Sequence, residues 1–131
     1  MMTTLHTIGR AVLGGFFVLA GINKLLSYGA TVIYMEDAGL PGTLLPLVIA
    51  LELVGGLVVA VGKPVRLLPW AAIALAGFCV LTNLVFHRFW EMDGQLGQLE
   101  LSLFFKNLAI AGGLLMAAGP VMTRKTDRRT G

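Results

Sequence analysis

The chain has 131 residues, of which 56% are hydrophobic and only 13% are charged, and its mean hydropathy is +0.83. Because soluble domains of this size carry about 25% charged residues, this composition excludes an ordinary water-soluble globular domain. The net charge of +3 does not indicate a nucleic-acid-binding protein, since the basic residues are not clustered with aromatic residues.

Four apolar segments are long enough to cross about 30 Å of hydrocarbon as α-helices. They lie near Ile8–Ser27, Leu44–Gly62, Leu67–Phe89 and Leu99–Gly119. The sequence therefore predicts an all-α fold, an integral membrane four-helix bundle that forms a single domain over residues 1–131. Prolines are expected only near helix starts and after the last helix, at Pro120. Residues 120–131 are predicted to form a basic cytoplasmic tail that is disordered beyond Lys125.

The first apolar segment resembles a signal peptide, because Arg10 precedes the apolar run Ala11–Ile22. Lys24 follows this run almost directly, and no clean Ala-x-Ala cleavage site is present. We therefore predict that residues 1–27 are retained and include the first membrane-spanning helix. After it, Ala30–Ala38 is predicted to form a short interfacial helix that ends at Gly39.

The distribution of Lys and Arg predicts the orientation of the bundle. Seven of the ten basic residues lie on the side that carries both termini: Arg10, Lys63, Arg66, Arg124, Lys125, Arg128 and Arg129. Only Lys24 and Arg88 lie on the other side, and Lys106 lies within a span. Because cytoplasmic segments are enriched in Lys and Arg, we predict a bacterial cytoplasmic (inner) membrane protein with both termini in the cytoplasm.

Polar residues within the apolar segments indicate an internal site. A charge in hydrocarbon costs roughly 2.5–3.5 kcal/mol, so such residues usually pair with one another or line a polar cavity. The predicted helices place the whole set in the outer half of the bilayer: Asn23, Lys24, Glu52, Asn83, His87, Lys106 and Asn107. We predict that these residues line a ligand pocket that is open to the outer face or leaflet. Within it, Glu52 and Lys106 are expected to form an ion pair, and a purely structural ion pair without a ligand is the alternative.

Three glycine pairs lie in the opposite half of the bundle, at Gly14-Gly15, Gly55-Gly56 and Gly112-Gly113. Small residues let membrane helices approach closely. We therefore expect three helices to meet at one depth near the cytoplasmic side. This arrangement closes the floor of the pocket and disfavours a through-channel.

Few cofactor classes fit the residues. Cys79 is a single cysteine, so no disulfide can form within the chain. His87 with Glu91 and Asp93 is an incomplete set of ligands for a transition metal, and we predict no metal site. The sequence has no haem-attachment motif and no glycine-rich phosphate loop.

Four stretches together resemble the DoxX family of small four-helix bacterial membrane proteins. They are Gly9-Arg10 with Gly21-Ile22-Asn23-Lys24, Glu52-Leu53-Val54-Gly55-Gly56, His87-Arg88-Phe89-Trp90, and Phe105-Lys106-Asn107-Leu108 followed by Gly112-Gly113. The resemblance covers about residues 8–119. It implies a four-helix bundle in the cytoplasmic membrane. It also implies a link to redox chemistry, because the family is named for a subunit of a thiosulfate:quinone oxidoreductase and other relatives are associated with thiol or quinone stress.

The polar positions of the family correspond to Lys24, Glu52, His87, Lys106 and Asn107. A quinone head group needs a donor to its carbonyls, which Lys106 or Asn107 would supply, and a proton relay, which His87 and Glu52 would supply. On this interpretation the chain is a membrane subunit or accessory of a redox system, and the candidate catalytic residues are Glu52, His87 and Lys106. Two alternatives stay open: a small-molecule carrier or permease, and a non-catalytic assembly partner of a redox enzyme. The expected partners are the lipid bilayer, a quinone, a redox-enzyme subunit or a second copy of the chain.

Overall fold

The computed structural model describes the backbone of residues 2–130 and the side chains of residues 3–122. This part of the chain contains helices and short connections but no strand. The α-helices are α1 (Met2–Leu26), α2 (Tyr28–Asp37), α3 (Leu45–Ala50), α4 (Gly56–Val61), α5 (Leu68–Phe86) and α6 (Gly94–Thr130). A π-helical segment, Leu51–Gly55, joins α3 to α4 without a break. Short 3-10 turns lie at Gly42–Leu44 and Phe89–Glu91.

Four stretches are long and apolar enough to cross a membrane, namely Thr3–Leu26, Gly42–Val61, Leu68–Glu91 and Gly94–Met122. They confirm the predicted all-α membrane bundle. α1 packs mainly against α4, and α5 packs mainly against α6. We call the end of the bundle where α1 and α5 finish and where α3 and α6 begin the polar end, and the opposite end the dry end.

Prolines and glycines set several helix ends. Proline lies in the first turn of both α3 and α5, where its missing N–H has no helical partner to lose. Gly62 ends α4 with a φ of +77°, a left-handed conformation that glycine adopts without a steric penalty. The short helix predicted after α1 is confirmed as α2. It ends in a Schellman motif, in which the Leu40 N–H donates to the Met35 carbonyl (2.9 Å) and the Gly39 N–H donates to that of Glu36 (3.0 Å).

Glycine allows α1 and α4 to touch at the dry end. A Cβ placed on Gly56 would lie only 2.8 Å from the Gly14 carbonyl oxygen, and a Cβ on Gly14 would overlap the Gly56 carbonyl oxygen. α6 does not take part in this close approach, since a Cβ on Gly113 would make only an ordinary contact with the Leu13 side chain at 3.4 Å. The expectation that glycine pairs draw helices together is therefore right for α1 and α4 and wrong for α6. The apolar core at this end is built from Phe17, Val59, Leu68, Leu75 and Leu114, among others.

α6 differs from its predicted form at both ends. It begins at Gly94 rather than near Leu99, and its backbone stays helical through Thr130, so the prediction of a disordered tail beyond Lys125 was wrong. Pro120 lies inside this helix, although the sequence analysis placed it after the helix end. A proline removes one backbone hydrogen bond, which long helical segments on both sides can absorb, and Arg and Lys in the tail favour the helical state. The side chains of residues 123–130 lie outside the described part.

Candidate functional site

The centre of the candidate site is Glu52, whose side chain is only 1% exposed. It lies in the π-helical segment between α3 and α4, and such single wide turns occur frequently at functional sites. α1 approaches this segment closely at Gly21. A Cβ there would lie 2.8 Å from the Leu53 side chain and 3.4 Å from the Glu52 Cβ. The absence of a side chain at Gly21 therefore makes room for the acidic turn.

Lys24, three residues beyond Gly21 on α1, is the ion-pair partner of Glu52. Its Nζ lies 2.8 Å from Glu52 Oε1 and donates a hydrogen bond to Oε2 at 3.1 Å. The Lys24 side chain remains 28% exposed. Oε1 is buried, and the Lys24 ammonium at 2.8 Å is its one polar contact among the described residues. The pair thus combines a dry carboxylate with an ammonium that is reachable from outside the bundle.

The predicted ion pair between Glu52 and Lys106 is wrong. The Lys106 side chain is exposed, and its Nζ lies 5.8 Å from the centre of the Phe16 ring. The reason is geometric, because the π-helical segment packs closely against α1 and presents Glu52 to Lys24. Asn23 is also exposed on α1. Neither Asn23 nor Lys106 shares the contacts of Glu52.

A second polar pair joins α5 to α6. The Asn83 side chain is buried, and its Nδ2 donates to the Phe104 carbonyl at 2.9 Å. Its Oδ1 accepts a hydrogen bond from Asn107 Nδ2 at 3.0 Å. Cys79, one turn before Asn83, is also buried. The Asn83–Asn107 hydrogen bond thus pairs the polar side chains between α5 and α6.

His87 lies at the rim of the polar end, directly after α5. Its Nδ1 is 2.6 Å from Glu100 Oε2 on α6, and both side chains are largely buried. Beside it, Tyr34 of α2 stacks on Phe86, with the ring centres 4.7 Å apart and the planes 12° from parallel. Partial shielding from water, and secondarily the negative charge of Glu100, raises the pKa of the Tyr34 phenol above its usual value, although the residue is 54% exposed. These contacts tie α2, α5 and α6 together over the end of the bundle.

The sequence analysis missed Glu100, Tyr34 and the π-helical turn. The signal for Glu100 was present, because residues at equal distances from the middle of a short helix–helix connection face each other in an antiparallel hairpin. His87 and Glu100 are such a pair around the connection near Asp93. Nothing in the residue pattern indicates a π-helical turn at Glu52. Among the described residues, no group of three or more His, Cys, Asp or Glu side chains is arranged to hold a metal ion.

Comparisons with known proteins agree with this architecture. A sequence model of the DoxX family matches residues 5–88, a range that includes Lys24, Glu52, Asn83 and His87 but ends before α6. Inner membrane protein YqjF of Escherichia coli (strain K12) is 40% identical over 112 residues, which cover 85% of this chain and 79% of that protein. Inner membrane protein YphA of the same organism is 28% identical over 113 residues, with the same two coverages. No solved structure matches the chain significantly.

Proposed function

This chain belongs to the DoxX family and is a multi-pass inner membrane protein, and we propose that it binds a quinone head group beside Lys24 and Glu52, as a membrane subunit or accessory of a redox system. The observation that carries the proposal is the Lys24–Glu52 pair itself. A carboxylate that is 1% exposed lies in a π-helical turn of a membrane span, 2.8 Å from an ammonium that is 28% exposed. Ionisable groups at such positions commonly mark substrate or proton pathways.

The hydrogen-bonding capacity of the pair suits the two states of a quinone. An ammonium has three N–H donors, and Lys24 donates one hydrogen bond to Glu52, so it can donate another to a quinone carbonyl. Glu52 Oε1 has the Lys24 ammonium as its one polar contact among the described residues, so a lone pair is left to accept a hydrogen bond from the hydroxyl of the reduced quinol. Reduction of a quinone to a quinol takes up two electrons and two protons. In the proposal Lys24 would donate one proton to the head group and would be reprotonated from the polar end, which would also supply the second proton, and a partner enzyme would supply the two electrons.

The polar groups of α5 support a proton route toward the polar end. Asn83 and His87 are four residues apart, which places them about 6 Å apart along the helix axis. His87 at the rim has an imidazole side chain, which can accept and release a proton, and its Nδ1 lies 2.6 Å from Glu100 Oε2. The chain has one cysteine, so the proposal does not use a dithiol within it.

The proposal is tested by thermal unfolding in mild detergent, titrated with a short-chain quinone. A ligand that binds the folded state alone stabilises it by about 2.7 kcal/mol at one hundred times Kd, so the wild-type Tm should rise with quinone concentration. Glu52→Gln and Lys24→Met should each lose most of this rise, measured from the Tm of each unliganded variant. The matched controls are Glu91→Gln and Lys63→Met, which alter exposed residues and should keep the wild-type rise.

Each other outcome contradicts the quinone proposal in a recognisable way. A rise in Tm with small anions but not with quinone would favour the carrier alternative. The absence of any rise, together with stable co-purification of a soluble redox enzyme, would favour the assembly partner. An equal rise in wild type and Glu52→Gln would place the quinone away from the ion pair.

A further inference from the structure

Lys106 is a charged side chain in a membrane span with an unusual environment. It lies on α6 within the spanning stretch Gly94–Met122, and its side chain is exposed. Its ammonium lies 5.8 Å from the centre of the Phe16 ring of α1. Among the described side chains, no carboxylate forms a salt bridge with it. A cation on the lipid-facing side of a span is costly unless an anion or the aqueous interface is within reach.

The depth of Lys106 puts the headgroup region within reach. It is twelve residues from the start of α6, or about 18 Å along the axis, and about 10 Å beyond Leu99, where the apolar part of the helix begins. Side chains on an α-helix tilt toward its N-terminus, which for α6 is the polar end. The long lysine stem therefore directs the ammonium toward the headgroups of the nearer leaflet.

The surroundings of the ammonium suit a molecule with an anionic head and an apolar tail. The Phe16 ring lies beside it, and this ring is exposed. Asn23 is exposed on α1, seven residues and about 10 Å nearer the polar end than Phe16, on the same face of that helix. α6 packs mainly on α5 and touches α1 far less, and we call the lipid-facing boundary between α1 and α6 the seam.

A second copy of the chain does not offer a matching acidic group. Within the four described spans the acidic residues are Glu52, Glu91 and Glu100. Glu52 is buried against Lys24, Glu100 is paired with His87, and Glu91 lies at the end of its span beside Arg88. None of them presents a free carboxylate at the depth of Lys106. The membrane itself supplies the missing anion.

We propose that the seam between α1 and α6 binds an anionic phospholipid, with its phosphate at Lys106 and an acyl chain along Phe16. Asn23 provides a neutral hydrogen-bonding group nearer the headgroup. This site is separate from the Lys24–Glu52 pair. It does not depend on the quinone proposal.

The test is thermal unfolding in neutral detergent with added phosphatidylglycerol or phosphatidylcholine of identical acyl chains. Phosphatidylglycerol should raise the wild-type Tm, and phosphatidylcholine should not. Lys106→Met should weaken the apparent affinity for phosphatidylglycerol at least tenfold, whereas Lys106→Arg should retain it. The matched control is Lys63→Met, which removes an exposed lysine at the dry end and should behave like wild type.

Three results would overturn the proposal. If Lys63→Met weakened the response as much as Lys106→Met, the lipid would be held by overall positive charge rather than by this seam. If inorganic phosphate raised the Tm as effectively as phosphatidylglycerol, the site would be one for a free anion. If Lys106→Met, an exposed substitution that leaves the core intact, responded like wild type, Lys106 would have no part in lipid binding.

Discussion

Replacing Lys24 by Met should destabilise the bundle more than replacing both members of the ion pair. The single change leaves the Glu52 carboxylate, which is 1% exposed, without its counter-ion. Removing one partner of a buried ion pair typically costs about 3–5 kcal/mol. The cost at pH 7 has a ceiling, because the carboxylate can take up a proton instead. Neutralising a carboxyl group with an ordinary pKa of about 4.3 costs about 3.7 kcal/mol at that pH.

The opposite single change should cost less. In Glu52→Gln the remaining charge is Lys24, whose side chain is 28% exposed and can extend toward the polar end. We expect a loss of about 1–3 kcal/mol, the usual cost of an imperfectly satisfied buried polar group. The double variant with Lys24→Met and Glu52→Gln buries no charge. Its loss should therefore be smaller than that of Lys24→Met alone.

The assay is a double-mutant cycle of unfolding in detergent, followed by helical circular dichroism. The chain offers a matched control in the pair Arg88 and Glu91, whose closest atoms are 3.4 Å apart and whose side chains are 42% and 56% exposed. Exposed pairs of this kind couple by less than about 1 kcal/mol. Additive losses at Lys24 and Glu52, as small as those of the control cycle, would refute the buried pair.

Three further predictions concern topology, packing and ionisation. Reporter fusions at the C-terminus and in the connection before α6 should report opposite sides of the membrane, with the C-terminus cytoplasmic, and a cytoplasmic signal from the connection would contradict the orientation. Gly14→Ala should destabilise the protein by about 1–3 kcal/mol in detergent unfolding, because the added methyl group overlaps the α4 backbone. The control Gly15→Ala, whose Cβ would have nothing within 4 Å, should be neutral or slightly stabilising. Equal losses of stability in the two variants would be inconsistent with the close approach of α1 and α4. Because the pKa of Tyr34 is raised in the folded state, the protonated phenol contributes to the stability of the fold below about pH 10. This contribution is lost as the pH rises through the folded-state pKa. In an ultraviolet titration, with Tyr34→Phe as the blank, Glu100→Gln should move formation of tyrosinate to lower pH, and no change would show that the Glu100 charge does not act on Tyr34.

The fold class could be predicted from the sequence because the fold class depends on coarse properties, namely the number and length of the apolar stretches. Four apolar stretches of about twenty residues have few alternatives to membrane helices. Gly39 and the proline near the start of α5, which were expected to mark helix boundaries, likewise lie at helix boundaries in the structure. Pro120 shows the limit of that reasoning, because a long helix tolerates one missing hydrogen bond.

The partner of a polar residue could be predicted only where the order of the helices along the chain determines which helices are neighbours. Glu52 was assigned to Lys106 because both lie at similar depth, but depth does not say which helices are neighbours. Lys24 is in the helix that precedes Glu52 in the chain, and consecutive antiparallel helices are usually neighbours in a bundle. The same rule would have paired His87 with Glu100. The π-helical turn at Glu52 lies beyond such rules, since no residue pattern in the segment indicates it.

The central claim, that the interior beside Lys24 and Glu52 holds a quinone, is tested most directly by identifying what co-purifies with the protein. Wild type and Glu52→Gln would be extracted from the same membranes in mild detergent and examined by native mass spectrometry, with Glu91→Gln as the control. We expect bound quinone on wild type and on Glu91→Gln, and little or none on Glu52→Gln. Equal quinone on all three proteins, or none on wild type, would contradict the claim.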